Sequence, residues 1–216
     1  MSTEQETSEV KENGRKSKNL IIITGPTASG KDTVIDLFIE RHPNFKRIVP
    51  YTTRTPHINE QDGVDYHFVS LEWFKQNQDR FCAITQRMIS NQTIYYGTAL
   101  SDLQMILKGE QRIWKLDPYT ACNLDSCLGE SLSSDEIKTL LSQTAIIYLG
   151  VDRLTVLKDR MSHRARPDDT RADFLRRLRN EWQAWLAIKG KVDPFICDLK
   201  TVSPEEFLYG LEKRLI

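Results

Sequence analysis

The sequence predicts an α/β fold: a three-layer α/β/α core on a parallel sheet, with a small, mostly β lobe set into it. Three observations carry this. The apolar run Leu20–Ile23 leads straight into a glycine-rich loop and then into a stretch with helical periodicity. Strand-like and amphipathic helical patterns alternate along most of the remaining chain, as a parallel sheet wrapped by helices requires. A segment over 50–98, rich in Thr, Tyr, Phe and Ile between turn residues, interrupts that alternation.

Each element has its own signal. Residues 1–18 are polar and mixed in charge, the composition of a disordered tail. Residues 19–24 read as a buried strand. A helix is expected over 31–41, where Val34, Ile35, Phe38 and Ile39 recur at helical spacing, and His42-Pro43 ends it because the residue before proline avoids the α region. A short strand is expected over 45–49. In the inserted lobe, Ser70 is placed to cap a short helix through Trp73 and Phe74. The core resumes with a helix over 100–107, stopped at Gly109, and a strand over 112–116. Helical and polar material follows, then a helix over 134–141, a strand over 144–149 and a helix over 154–161. Residues 168–188 read as a long amphipathic helix with Phe174, Leu178, Trp182 and Trp185 on one side. A brief strand at 195–197 precedes a last helix, opened by Ser203 as cap and Pro204 at the first helical position. The core is therefore expected over 19–49 and 99–216, with the lobe at 50–98.

Composition narrows the partners. Thirty basic and thirty acidic residues cancel, so neither nucleic acid nor an anionic membrane is the expected partner. No apolar stretch approaches the ~20 residues that span a bilayer, and the first residues lack the hydrophobic segment of a secretory signal. Cys82, Cys122, Cys127 and Cys197 are scattered without metal-like spacing and read as reduced thiols of a cytoplasmic protein. Either a monomer or a homodimer is compatible with the sequence.

The strongest chemical signal is Gly25-Pro-Thr-Ala-Ser-Gly-Lys-Asp32, which nearly fits the Walker A pattern. Gly25 and Gly30 permit a tight turn and a close anion. The N–H groups from Ala28 to Lys31 can then point at phosphate oxygens, at the positive end of a helix dipole. Lys31 reaches the terminal phosphates. The expected nucleotide-binding set is Gly25, Thr27, Ala28, Ser29, Gly30, Lys31, Asp32 and Thr33. Asp32 stands where Ser or Thr would hold magnesium. It has two readings: a carboxylate ligand for the metal, directly or through water, or a like charge that weakens ATP binding. The metal role is preferred. Thr33 cannot simply replace the missing hydroxyl, because one step along a helix rotates the side chain by ~100°.

Downstream lie Tyr51-Thr-Thr-Arg-Thr-Pro56, Asp62-Gly-Val-Asp-Tyr-His-Phe-Val69 and Tyr95-Tyr-Gly-Thr98. With the glycine-rich loop, and in this order, they resemble the guanylate kinase family from about residue 19 to the C-terminus. The resemblance implies a P-loop nucleoside monophosphate kinase: an inserted lobe that binds GMP or dGMP, a short arginine-rich lid over about 160–172, and transfer of a phosphoryl group from ATP with Mg2+. It places Arg54, Tyr66 and Tyr96 at the acceptor's phosphate. Thr98 and Asp117 fall at the base. The lid's Arg160 and Arg164, and the later Arg177, fall at the transferring group beside Lys31; seven arginines lie between residues 160 and 179.

The guanine-reading positions diverge. Pro50 stands for a serine, His57 for a second phosphate-binding arginine, Ala83 for a glutamate, and Lys115 with Asp117 for an Asp-x-Asp pair. About four extra residues separate Ala83 from Tyr96, and Glu60, Asp62 or a residue of that insertion is a candidate to take over recognition. Two rivals follow: a kinase for another phosphorylated acceptor, such as another monophosphate or a ribose bisphosphate, and a catalytically silent protein-binding module. His67, Trp114 and the Trp182–Trp185 pair read as structural.

Overall fold

A computed structural model describes residues 18–58, 60–89, 92–150, 194–196 and 204–215, with single helical positions at 159, 175, 176, 179, 183 and 186. The expected helices over 154–161 and 168–188, apart from those positions, and the whole arginine-rich segment from Arg160 to Arg171 lie outside the described residues, as do Arg177 and the tail over 1–17.

In chain order, β1 (Leu20–Thr24) leads into α1 (Lys31–Arg41) and the short β2 (Lys46–Arg47). The inserted lobe contributes β3 (Tyr51–Thr52), β4 (His67–Phe68), α2 (Leu71–Gln76), β5 (Phe81–Ile89) and β6 (Gln92–Ala99). The core then continues through α3 (Leu100–Leu107), β7 (Arg112–Lys115), α4 (Pro118–Cys122), α5 (Leu124–Leu128), α6 (Ser134–Ser142), β8 (Thr144–Gly150), β9 (Pro194–Ile196) and α7 (Pro204–Leu215).

β1 is apolar on both faces and every residue of it is buried, so it can lie only in the middle of a covered sheet. It does: the larger sheet runs β2-β7-β1-β8-β9, and all its pairs are parallel. Period-two alternation sends Leu20 and Ile22 to one face and Ile21 and Ile23 to the other. The first pair joins Trp114, Leu103 and Ile106 of α3, Leu124 and Leu128 of α5, and Leu140 of α6. The second pair joins Val34, Ile35 and Phe38 of α1 and Leu208 and Leu211 of α7. Two separate apolar clusters on one sheet make the three layers, and each fully buried Leu, Ile or Phe contributes about 1.5–3 kcal/mol.

Helix starts follow their sequence signals. Ser70 accepts a hydrogen bond from Trp73 N–H at 3.1 Å. Ser133 and Glu136 close a reciprocal capping box at the start of α6. β2 is shorter than expected: Lys46 and Ile48 donate to Gln111 and Ile113 of the adjoining segment, and the chain turns away before Pro50.

The second sheet runs β4-β3-β6-β5. β5 and β6 form a long antiparallel hairpin, whereas β3 and β4 pair in parallel. The hairpin register slips between Cys82 and Thr85, and Ala83 sits there at φ 48°, a left-handed backbone that L-residues rarely adopt.

The layer assignment predicts a contrast in stability. Leu103→Ala, in the core under the sheet, should cost about 2–5 kcal/mol in urea unfolding, and Ser133→Ala, which removes only a cap, about 0.5–2 kcal/mol. Equal costs would contradict the assignment.

Candidate active site

β1 ends against a turn with no spare room. Gly25 has φ 143°, and a Cβ there would collide with the backbone carbonyl of Leu149 on β8. Beyond it, Ala28 (φ 64°) and Gly30 (φ 94°) take left-handed conformations and turn the chain into α1. No side chain caps the start of α1, where Gly30 is the N-cap residue. The hydroxyl oxygens of Thr24 and Ser29 are buried without a hydrogen-bond partner among the described residues. Lys31 Nζ donates to the carbonyls of Gly25 (2.8 Å) and Pro26 (2.7 Å) across the loop. An uncapped helix start, orphaned hydroxyls and an ammonium group at one turn fit a polyphosphate.

Asp32 is not alone on α1. Its Oδ1 accepts a hydrogen bond from Lys115 Nζ at 2.7 Å and from Arg47 Nη2. Arg47 also donates to Asp36 at 3.1 Å. Burial pushes the Asp32 carboxyl upward, but Lys115 and Arg47 outweigh it and hold the group below its ordinary range. The like-charge penalty weighed from the sequence is therefore offset by cations that sequence spacing does not reveal. Among the described residues no group of three or more His, Cys, Asp or Glu side chains is placed to hold a metal ion. Asp32, with Asp36 one turn further along α1, is the carboxylate that stands at the start of the helix.

Facing this loop is a cleft lined by Tyr66, Tyr96, Thr98, Lys115, Asp117 and Arg87, among others. Lys115 therefore touches both halves: its Nζ pairs with Asp32 on α1 and lies 5.4 Å from the Tyr66 ring centroid. The Tyr66 and Tyr96 rings are 6.0 Å apart. Arg54 lies over Tyr66 at 4.9 Å and is nearly buried. Its two terminal nitrogens donate to Glu60 at 2.6 and 2.7 Å in a bidentate fork. Burial opposes the charge of Arg54, but the Glu60 carboxylate outweighs it and raises the pKa. Asp117 lines the cleft while capping α4, accepting from Tyr119 N–H (3.1 Å), Thr120 N–H (3.2 Å) and Thr120 Oγ1 (2.6 Å).

The acceptor-side residues named from sequence thus fall into two groups. Tyr66, Tyr96, Thr98 and Asp117 line the cleft, and Arg54 stands behind them against the Tyr66 ring. Glu60 is engaged by Arg54, and exposed His57 adds its N–H to Glu60 Oε2 at 2.8 Å. Asp62, another candidate reader, accepts from Phe68 N–H at 2.8 Å. Arg160, Arg164 and Arg177 lie outside the described residues. Sequence reasoning passed over Arg47, Thr85 and Arg87. The last two sit on the lengthened β5, and the only signal was the extra length of that hairpin. Trp114, read as structural, is fully buried, borders the cleft and has an indole N–H without an acceptor among the described residues.

The Asp32 cluster has a pH signature. A carboxyl held below its unfolded pKa adds stability that is complete above that value and fades as pH falls through the lowered one. Asp32→Asn should therefore be less stable than the parent protein at pH 7, with the gap closing below about pH 4. Thermal unfolding at pH 7 and pH 3 measures this; a gap that does not change with pH would show that the ion pairs do not stabilise the fold.

Comparison with known proteins agrees with this architecture. The guanylate kinase family profile matches residues 17–179. A guanylate kinase of Helicobacter pylori (strain ATCC 700392 / 26695) is 25% identical over 199 residues, covering 92% of this chain and 88% of its own. One from Clostridium perfringens (strain SM101 / Type A) is 38% identical over 101 residues, 45% of each chain, so the match spans about half the length of that relative. The crystal structure of guanylate kinase from Anaplasma phagocytophilum superposes with a TM-score of 0.58 at 17% identity, covering 93% of this chain and 88% of that one, and so shares the fold. With a family match over residues 17–179, most of its length, this chain belongs to the guanylate kinase family.

Proposed function

We propose that the protein transfers the γ-phosphoryl group of ATP to a nucleoside monophosphate, with GMP or dGMP as the preferred acceptor. The observation that carries this reading is the position of Lys115, which lines the acceptor cleft and pairs at 2.7 Å with Asp32 at the start of the phosphate loop's helix. A lysine that ties the loop's helix to the cleft wall brings the two sites side by side, as end-to-end phosphate transfer needs. Phosphoryl transfer asks little covalent chemistry of a protein and much positioning and positive charge.

In this reading the donor's phosphates lie along the N–H groups of residues 28–31, and Lys31 leaves its loop carbonyls for the β- and γ-phosphates. An acceptor phosphate oxygen forms a bond to the γ-phosphorus as the bond to the β–γ bridging oxygen breaks, and the electron pair stays with the departing ADP. Lys31 meets the charge that builds on the leaving group. Arg54, Tyr66 and Tyr96 hold the acceptor. Asp32 would be the carboxylate offered to magnesium, directly or through water, and the metal would supply neutralisation of phosphate charge when bound with ATP. The family resemblance assigns Arg160, Arg164 and Arg177 to the same charge.

Base preference is the finer part. Thr98 supplies a hydroxyl at the expected base end, but Ala83 offers no carboxylate, and Asp117 already accepts three hydrogen bonds. A second reading, a kinase for another phosphorylated acceptor, is favoured by that missing carboxylate alone.

A coupled assay of ADP release with GMP, dGMP, AMP, CMP, UMP and a ribose bisphosphate tests the proposal. The expected result is acceptor-dependent ADP formation, greatest with GMP or dGMP, and a fall in kcat of roughly 100- to 1000-fold in Lys31→Met. No acceptor-dependent ADP formation with any monophosphate would remove the proposal.

A further inference from the structure

The lengthened β5–β6 hairpin brings to the cleft a guanidinium that nothing above has assigned. Arg87 lies on β5 beyond the bulge at Ala83, lines the cleft, and sits over the Tyr96 ring at 5.9 Å. Arg54 sits over Tyr66, and the Tyr66 and Tyr96 rings are 6.0 Å apart. The contacts therefore link guanidinium, phenol, phenol and guanidinium from Arg54 to Arg87.

The two guanidinium groups are not equivalent. Arg54 already spends its terminal nitrogens on Glu60, and that pair is electrically neutral. Lys115 is likewise matched by Asp32. Arg87 is exposed and, among the described residues, has no acidic partner. Asp117 is the carboxylate among the cleft-lining residues, and it is held at the start of α4 by three donors. An anion entering beside the two tyrosines therefore finds one cation with no competing carboxylate among the described residues, and that cation is Arg87. A fork of N–H donors flanked by phenols suits a phosphate monoester dianion, which a guanidinium can take through two parallel hydrogen bonds.

We propose that Arg87 is a phosphate-binding residue of the acceptor site, supplying from the extended hairpin the second cation that exposed His57 does not. This rests on the reading of the cleft as an acceptor site, and it concerns the acceptor's phosphate, not its base. Arg87 then sets affinity for any acceptor carrying that phosphate and leaves base preference unchanged.

Calorimetric titration of the full chain with GMP, guanosine and inorganic phosphate, in the parent protein, Arg87→Ala and Arg87→Lys, separates the outcomes. The expected result is a loss of roughly 10- to 100-fold in affinity for GMP and for phosphate in Arg87→Ala. Guanosine should bind both proteins alike, and Arg87→Lys should recover part of the loss. Parallel losses for GMP and guanosine would overturn the proposal, because they would mark Arg87 as a reader of the base or a support of the fold. Unchanged GMP and phosphate affinity in Arg87→Ala would overturn it too. If the parent protein bound phosphate through Arg87 but neither bound nor phosphorylated GMP, the GMP assignment would fall and the role of Arg87 would stand. Normal GMP turnover with an unchanged KM in Arg87→Ala would do the opposite, removing the role of Arg87 and leaving the GMP assignment in place.

Discussion

The site depends on one packing constraint: β1 is buried on both faces and must stop where Gly25 meets the backbone of Leu149. No side chain fits at that contact, so the chain has to turn sharply and climb into α1. In a parallel sheet the carboxyl ends of neighbouring strands lie along one edge. The loop after β1 and the end of β7, with Lys115 and Asp117, therefore converge without any further device. The hydrophobic register that fills two core clusters also fixes where the phosphate loop meets the cleft wall.

Charge is arranged around that edge in matched pairs. Asp32 faces Lys115 and Arg47; Glu60 faces Arg54. Arg47, Lys115 and Arg54 are largely withdrawn from water, and a largely buried cation without its carboxylate is costly. Asp32 and Lys115 act as one unit. An acidic residue in the loop would repel phosphate, and a lysine at the end of β7 would lack a partner, but together they are neutral and tie the two halves of the site.

Much of the fold was legible in the sequence because it rests on local periodicity. The bounds of α1 and α3 and the Ser70 cap follow from residues within a few positions of each other. The glycine-rich loop was legible for the same reason. Contacts between distant segments were not. Lys115 meets Asp32 across a separation of 83 residues, and no spacing rule reports that. Glu60 is close to Arg54 in sequence, yet its engagement by that arginine depends on how the Thr55–His57 turn folds back. No local pattern singles out Arg87, and the bulge at Ala83 decides which residues of β5 reach the cleft.

The proposed chemistry requires that the turn between β1 and α1 cradle the donor's triphosphate. Backbone amide NMR of the full chain during titration with magnesium and ATP reads that turn residue by residue. The largest shifts are expected on the amides of Ala28, Ser29, Gly30, Lys31 and Asp32, and they should saturate together. Shifts confined to the β5–β6 hairpin, or no saturable shift in the loop, would contradict this placement of the donor.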